Sequence, residues 1–134
     1  MKVSVNPRLA PVFHRKACRF LADAERLLRD PPSPDSTVNR AYYAGLMAAR
    51  AALASRGMDA TTHQGRITLF YEQFVDTGRC AQDHASVLGV SLRTRLTADY
   101  DATDETPQET AEDLVERARR FVALCQELMG QQRT

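Results

Sequence analysis

Apolar residues along this chain recur at intervals of three and four. From the Asn6-Pro7 pair to about residue 29 the series is Leu9, Val12, Phe13, Phe20, Leu21, Ala24, Leu27 and Leu28. It predicts a first helix with proline at its first position. The run "DPPSPDS" ends it, because proline has no amide donor. Asp35 or Ser36 can cap the next helix. Val38, Ala41, Tyr42, Gly45, Leu46, Ala49, Ala52 and Leu53 line one side of that second helix, which is rich in small residues and stopped by Gly57. Thr61 and Gln64 fit a capping box for a short third helix ending at Gly78. A fourth is expected from about Gln82 to Ala98. A fifth starts at a second capping box, Thr106-Pro107-Gln108-Glu109, and carries Leu114, Ala118, Phe121, Cys125 and Leu128 to Gly130. No segment alternates like a strand over a useful length. The pattern predicts an all-α, up-and-down bundle of four to five helices. It forms a single domain over residues 1–134, with its core at about 8–130.

The totals agree with that picture. A chain of 134 residues, 43% hydrophobic and 26% charged, is one globular domain rather than a disordered or fibrous chain. No uninterrupted apolar stretch approaches the ~18 residues of a membrane span. The opening "MKVSVNPRLAPVF" lacks the continuous apolar core of a secretory signal, so a cytoplasmic location away from membranes is expected. Cys18, Cys80 and Cys125 are odd in number and far apart, which reads as free thiols in a reducing compartment. Net charge is +1, but it is unevenly spread. Residues 1–56 hold ten Lys or Arg against four acids, and residues 99–116 hold eight acids and no base. A solvated helix start explains the acids through the helix dipole; a surface for a basic partner is the alternative.

Motifs exclude several chemistries. The chain lacks GxxxxGK[ST], GxGxxG and GxSxG, so no cofactor is expected. No Glu has a His three residues later, as a di-iron bundle requires. Cys80 and His84 are two ligands where zinc wants three or four, so no metal is expected. His14, taken alone, reads as a helix-surface residue, and His63 as a local hydrogen-bonding group at a helix start. What stands out is "RLTADYD", residues 95–101, where an arginine, two acids and a tyrosine crowd together before the acidic segment.

Three stretches in order, "NRAYYAGLMAARAALASRG", "THQGRITLFYEQFVDTG" and "RLTADYD", resemble the HEPN superfamily, and within it the small stand-alone prokaryotic proteins of the toxin–antitoxin type. The likeness covers roughly residues 10–128. It implies a dimerising helical bundle and, in active members, a metal-independent ribonuclease. There an Arg followed four to six residues later by His meets its symmetry mate in a cleft at the dimer interface. It also implies RNA as ligand and a nucleotidyltransferase antitoxin as partner.

Arg95 matches the family arginine, but the residue five later is Tyr100 rather than His, and Leu96 stands where the family often has a polar residue. Histidine titrates near 6.5 and tyrosine near 10. Tyr100 therefore suits a hydrogen-bond donor or general acid better than a base. Arg95 and Asp99 are four apart and face one way on a continuous helix, as a surface ion pair would. Tyr100 lies about 140° around the axis from Arg95. Arg95, Tyr100 and Asp99 are the catalytic candidates, and Arg95 and Tyr100 converge only if the helix ends near Ala98 or if the two meet across a twofold. Asn39, Arg40, Tyr43 and His63 are the accompanying RNA-binding candidates. Arg40 suits bidentate phosphate contact, or else a surface ion pair. The small-residue face of the second helix, with Leu92 and Leu96, is the expected homodimer surface. Three functional readings stand: a HEPN ribonuclease toxin, a non-catalytic HEPN module that binds RNA, a nucleotide or a nucleotidyltransferase, and a purely structural helical dimer.

Overall fold

The computed structural model describes residues 1–29, 31–100 and 105–131, the side chains of 98–100 and 131 excepted. The elements are strand β1 (Lys2–Ser4), a 3-10 turn at Pro7–Leu9, α1 (Ala10–Leu27), α2 (Pro34–Ser55), strand β2 (Met58–Ala60), α3 (His63–Phe70) running into a π turn at Tyr71–Val75, α4 (Gln82–Tyr100) and α5 (Gln108–Gln131). The all-α class holds, with five helices.

The centre of the bundle is α2, which packs against α1, α4 and α5. Ala41, Ala44, Leu46, Ala48, Ala49, Ala52 and Leu53 are all buried, and large side chains from its neighbours (Leu88, Leu114, Phe121, Leu128) fill the space that the alanines leave. Its small residues are thus spent within the chain itself, where they let helix backbones approach. They do not face outward, as a twofold interface on that side of α2 requires. The exposed large apolar side chains lie elsewhere, at Leu96 on α4, which is 40% exposed, and at Met1, Val3, Leu9 and Val12.

Several element ends differ from the sequence reading. The Asn6 side chain accepts from Arg8 N–H as expected, but it caps the 3-10 turn rather than α1 itself. Helix α2 opens at Pro34 after Ser33. The Asp35 carboxylate caps nothing local; it accepts from the amide of Thr106 at 2.9 Å, tying the start of α2 to the approach of α5. Thr62, not Thr61, caps α3, accepting from Gly65 N–H. Helix α4 continues through Tyr100 instead of ending near Ala98.

The strand pair was not foreseen, because three residues are too few to show alternation. β1 and β2 pair antiparallel with Lys2 opposite Ala60 and Ser4 opposite Met58. The pairing is extended by Val5 N–H on Gly57 O at 3.0 Å and Thr61 N–H on Met1 O at 3.1 Å. Gly57 stops α2 with a φ of 78°, a left-handed conformation that favours glycine and turns the chain into β2. Among the described residues no helix is long and apolar enough to cross a membrane. Cys18 is exposed, Cys80 and Cys125 are buried, and all three are free.

Candidate functional site

The Tyr-Tyr pair of α2 presents two adjacent rings toward the start of α3. Tyr42 is fully buried and Tyr43 half-buried, their centroids 5.1 Å apart in an edge arrangement. A buried tyrosine needs a partner for its hydroxyl. Here the partner is His63, the first residue of α3, with Tyr42 Oη and His63 Nδ1 3.2 Å apart. The imidazole also stands edge-on to Tyr43, at 6.0 Å between centroids. From the other side α4 brings Arg95, whose guanidinium carbon lies 5.4 Å from the Tyr42 centroid and 5.3 Å from that of Tyr43. One cluster therefore joins α2, α3 and α4 through an arginine, two tyrosines and a histidine.

The turn "THQG" sets the position of His63. Thr62 Oγ1 accepts from Gly65 N–H at 2.9 Å, which fixes the first turn of α3. A Cβ on Gly65 would stand 2.8 Å from that same oxygen and 3.3 Å from Ala60 Cβ, so the turn closes only around glycine.

Asp59 of β2 is buried and fully engaged. Its Oδ2 accepts from Arg50 Nε and Nη2 at 3.2 and 3.0 Å, and its Oδ1 from Arg66 Nε at 3.0 Å and Ala60 N–H at 2.8 Å. Burial alone raises a carboxyl, but these donors outweigh it and hold Asp59 below the usual carboxylate value. The Arg50 guanidinium also lies 4.2 Å from the centroid of the Phe13 ring on α1.

His63 feels the excess of cations. Burial first, then the charges of Arg66, Arg95 and Arg50, push its pKa below the ordinary 6.5, leaving the imidazole neutral at pH 7. Burial raises the Tyr42 hydroxyl above its ordinary value despite the pull of Arg95, so it stays protonated. The cluster combines a guanidinium, a neutral imidazole and the half-buried ring of Tyr43. That combination suits a phosphate attached to a base.

A family model described as HEPN domain matches residues 10–128. The chain belongs to the HEPN domain family. It is 31% identical over 109 residues to a UPF0332 protein of Gloeobacter violaceus, covering 81% of this chain and 86% of that one. A UPF0332 protein of Thermotoga maritima is 28% identical over 122 residues, 91% and 92% of the two chains. A protein of Methanocaldococcus jannaschii named "Putative toxin MJ0605" is 34% identical over 85 residues, 63% of each chain.

In this HEPN domain the sequence candidates divide. Arg95, Tyr43 and His63 come together in this cluster. Arg40 is exposed at its edge, its guanidinium 5.6 Å from the Phe20 ring, which in turn lies 5.7 Å from Tyr43. Asn39 is half-buried one turn before Tyr43, on the same side of α2. The side chains of Asp99 and Tyr100 lie outside the described residues. Because α4 continues past Ala98, backbone positions 95 and 100 stay about 140° apart on one helix.

The sequence reading missed Tyr42 as a polar partner, having taken it as core only, and it missed Arg50, Asp59 and Arg66. A tyrosine on an otherwise apolar helix side is a signal that a polar tip needs company. The Asp59 network left no comparable signal, since its three members are spread over separate elements.

Proposed function

We propose that this HEPN domain is a toxin-type protein that binds single-stranded RNA in the cleft centred on Arg95. The arginine seated over Tyr42 and Tyr43 carries the reading. A guanidinium held on aromatic faces is oriented in advance for a phosphate, and Tyr43 beside it offers a ring for a base. Arg40 extends the positive edge, and Asn39 lies on the same helix side. The likeness to a protein named as a toxin supports the toxin-type assignment. A nucleotidyltransferase antitoxin and a homodimer with both Arg95 residues in one cleft belong to the same proposal. With α4 continuous to Tyr100, position 99 shares the Arg95 side of the helix, and meeting across a twofold is the arrangement that unites Arg95 with Tyr100.

The test is binding of a labelled, unstructured RNA by fluorescence polarisation at low salt. Affinity should fall as salt rises and fall sharply in Arg95→Ala. Equal affinity of wild type and Arg95→Ala would remove the cleft from the reading. Sedimentation should give a dimer at micromolar concentration, and a monomer would remove the twofold arrangement.

A further inference from the structure

The cations of the surface fall into two groups. On α5 each is matched by an acid: Arg117 by Asp113, Arg119 by Glu25 and Glu116, and Arg120 by Glu116. On the side of α1 and α2, Lys16, Arg19 and Arg40 are exposed, and among the described residues no carboxylate pairs with any of them. Cations gathered without acids repel one another, and Lys16 and Arg19, three apart, are neighbours on their helix. A bound polyanion offsets that repulsion.

The unmatched group is continuous with the Arg95 cluster. Tyr43 lies 5.3 Å from the Arg95 guanidinium and 5.7 Å from Phe20 of α1, and the Arg40 guanidinium lies 5.6 Å from the same Phe20 ring. The fully buried Ala17 and Ala24 fix which side of α1 faces the core. With that phase, Lys16 stands one turn before Phe20 on the α2 side, and Arg19 turns from there onto the outer face. Asp23, one turn after Arg19 and paired with Arg26, ends the positive run in that direction. We propose that α1 carries a second part of the RNA-binding surface, in which Lys16 and Arg19 continue from Arg40 and hold phosphates of the strand that leaves the Arg95 cluster. The proposal rests on the RNA-binding reading above and extends its footprint across a second helix.

The dimensions set how much strand the track takes. The steps from Arg95 to Tyr43 and from Tyr43 to Phe20 are 5.3 and 5.7 Å, and a helical turn of about 5.4 Å leads on to Lys16. A stacked strand advances about 3.4 Å per nucleotide. The path therefore accommodates up to about five nucleotides, and a strand shorter than that reaches the cluster without reaching α1. The two parts also differ in kind. The cluster offers a planar guanidinium beside a ring, which suits a phosphate and its base together. Lys16 and Arg19 offer charge on long, solvated side chains, which suits phosphate contact without preference for the base.

The experiment measures binding of labelled oligouridylates of three and twelve nucleotides to the full chain, by fluorescence polarisation over a salt series. Wild type should bind the longer strand more tightly and with the steeper salt dependence. Lys16→Ala/Arg19→Ala should weaken the longer strand by about tenfold and make its slope of log affinity against log salt shallower by about one to two. The same variant should leave the shorter strand within about twofold of wild type. Arg119→Ala/Arg120→Ala removes equal charge from the matched side and should leave both strands within about twofold. All four side chains are exposed, so melting curves should show every variant folded. Long-strand affinity and slope equal to wild type in Lys16→Ala/Arg19→Ala would overturn the proposal. So would an equal loss in Arg119→Ala/Arg120→Ala, which marks a response to net charge alone. With either result, weakened binding in Arg95→Ala still upholds the RNA-binding reading. Absence of binding of both strands by wild type defeats that reading instead, and the proposal with it.

Discussion

The guanidinium of Arg95 rests against the ring of Tyr42, 5.4 Å from its centroid, and Tyr42 is wholly enclosed by the bundle. A cation at the surface of α4 is thereby registered against the central helix. Such a contact contributes on the order of 0.5–2 kcal/mol, and a planar guanidinium can also stack on a ring where an ammonium cannot. Arg95→Lys should keep the charge and lose most of the orientation. We expect it to weaken RNA binding by several-fold, and Arg95→Ala more. In Arg95→Ala the slope of log affinity against log salt should become shallower by about one. A slope equal to that of wild type would show that no phosphate is lost.

Tyr43 is half-buried and joins the Arg95 cluster through its ring. Tyr43→Phe should bind RNA like wild type. Tyr43→Leu should cost about 1–3 kcal/mol of affinity if a base stacks there. Comparing the two by polarisation, with melting curves as control for the Phe20 contact, separates stacking from folding.

Asp59 holds two arginines from different elements, and all three side chains are largely shielded from water. Asp59→Asn removes the negative charge and leaves Arg50 and Arg66 facing each other. The expected loss of stability is about 2–4 kcal/mol, read from chemical denaturation. A loss below about 1 kcal/mol would mean that the arginines find new partners or reach water.

The turn that launches α3 is equally exacting. In Gly65→Ala the new methyl meets Thr62 Oγ1 at 2.8 Å, so the cap or the turn must open. Thr62→Ala loses only the cap, about 1 kcal/mol. We expect Gly65→Ala to destabilise by more than Thr62→Ala and to shift the His63 ring resonances in NMR spectra. Melting temperatures in the reverse order would contradict the packing described for this turn.

Acid should destabilise the fold in two stages. The folded-state pKa of His63 lies below 6.5, so the unfolded chain takes up its proton first, and stability falls as pH drops from that value toward the folded one. Asp59 has its folded pKa below the ordinary 3.8, so its contribution persists above that and is lost as pH falls through the depressed value. Melting temperature should therefore decline between pH 7.5 and 5.5, and His63→Gln should flatten that first decline. An unchanged wild-type midpoint across that interval would contradict the histidine's environment.

The helices were legible because each is bounded by glycine or proline and carries an apolar stripe of three-four spacing. The central place of α2 was half legible: its alanines signalled close approach, but not whether the approaching helix belongs to the same chain or to a second copy. The ends were less so, since Asp35 spends its carboxylate on Thr106, 71 positions away, rather than on its own helix. In the site, Arg95, Tyr43 and His63 followed from motif resemblance. The Tyr42–His63 bond was not legible, because the pair is 21 positions apart and depends on how α3 returns to α2. Asp59 looked like any loop acid until two arginines closed on it.

The first residues of the chain lie against the segment that delivers His63. Met1 O receives Thr61 N–H, and the amino group of Met1 lies 3.4 Å from Thr61 Oγ1. A purification handle fused ahead of Met1 therefore emerges beside Thr61, two positions before His63. It can crowd the mouth of the cleft or bring its own histidines into the assay. Handles placed at the far end, or cleaved off before measurement, avoid confusing an added imidazole with the native one.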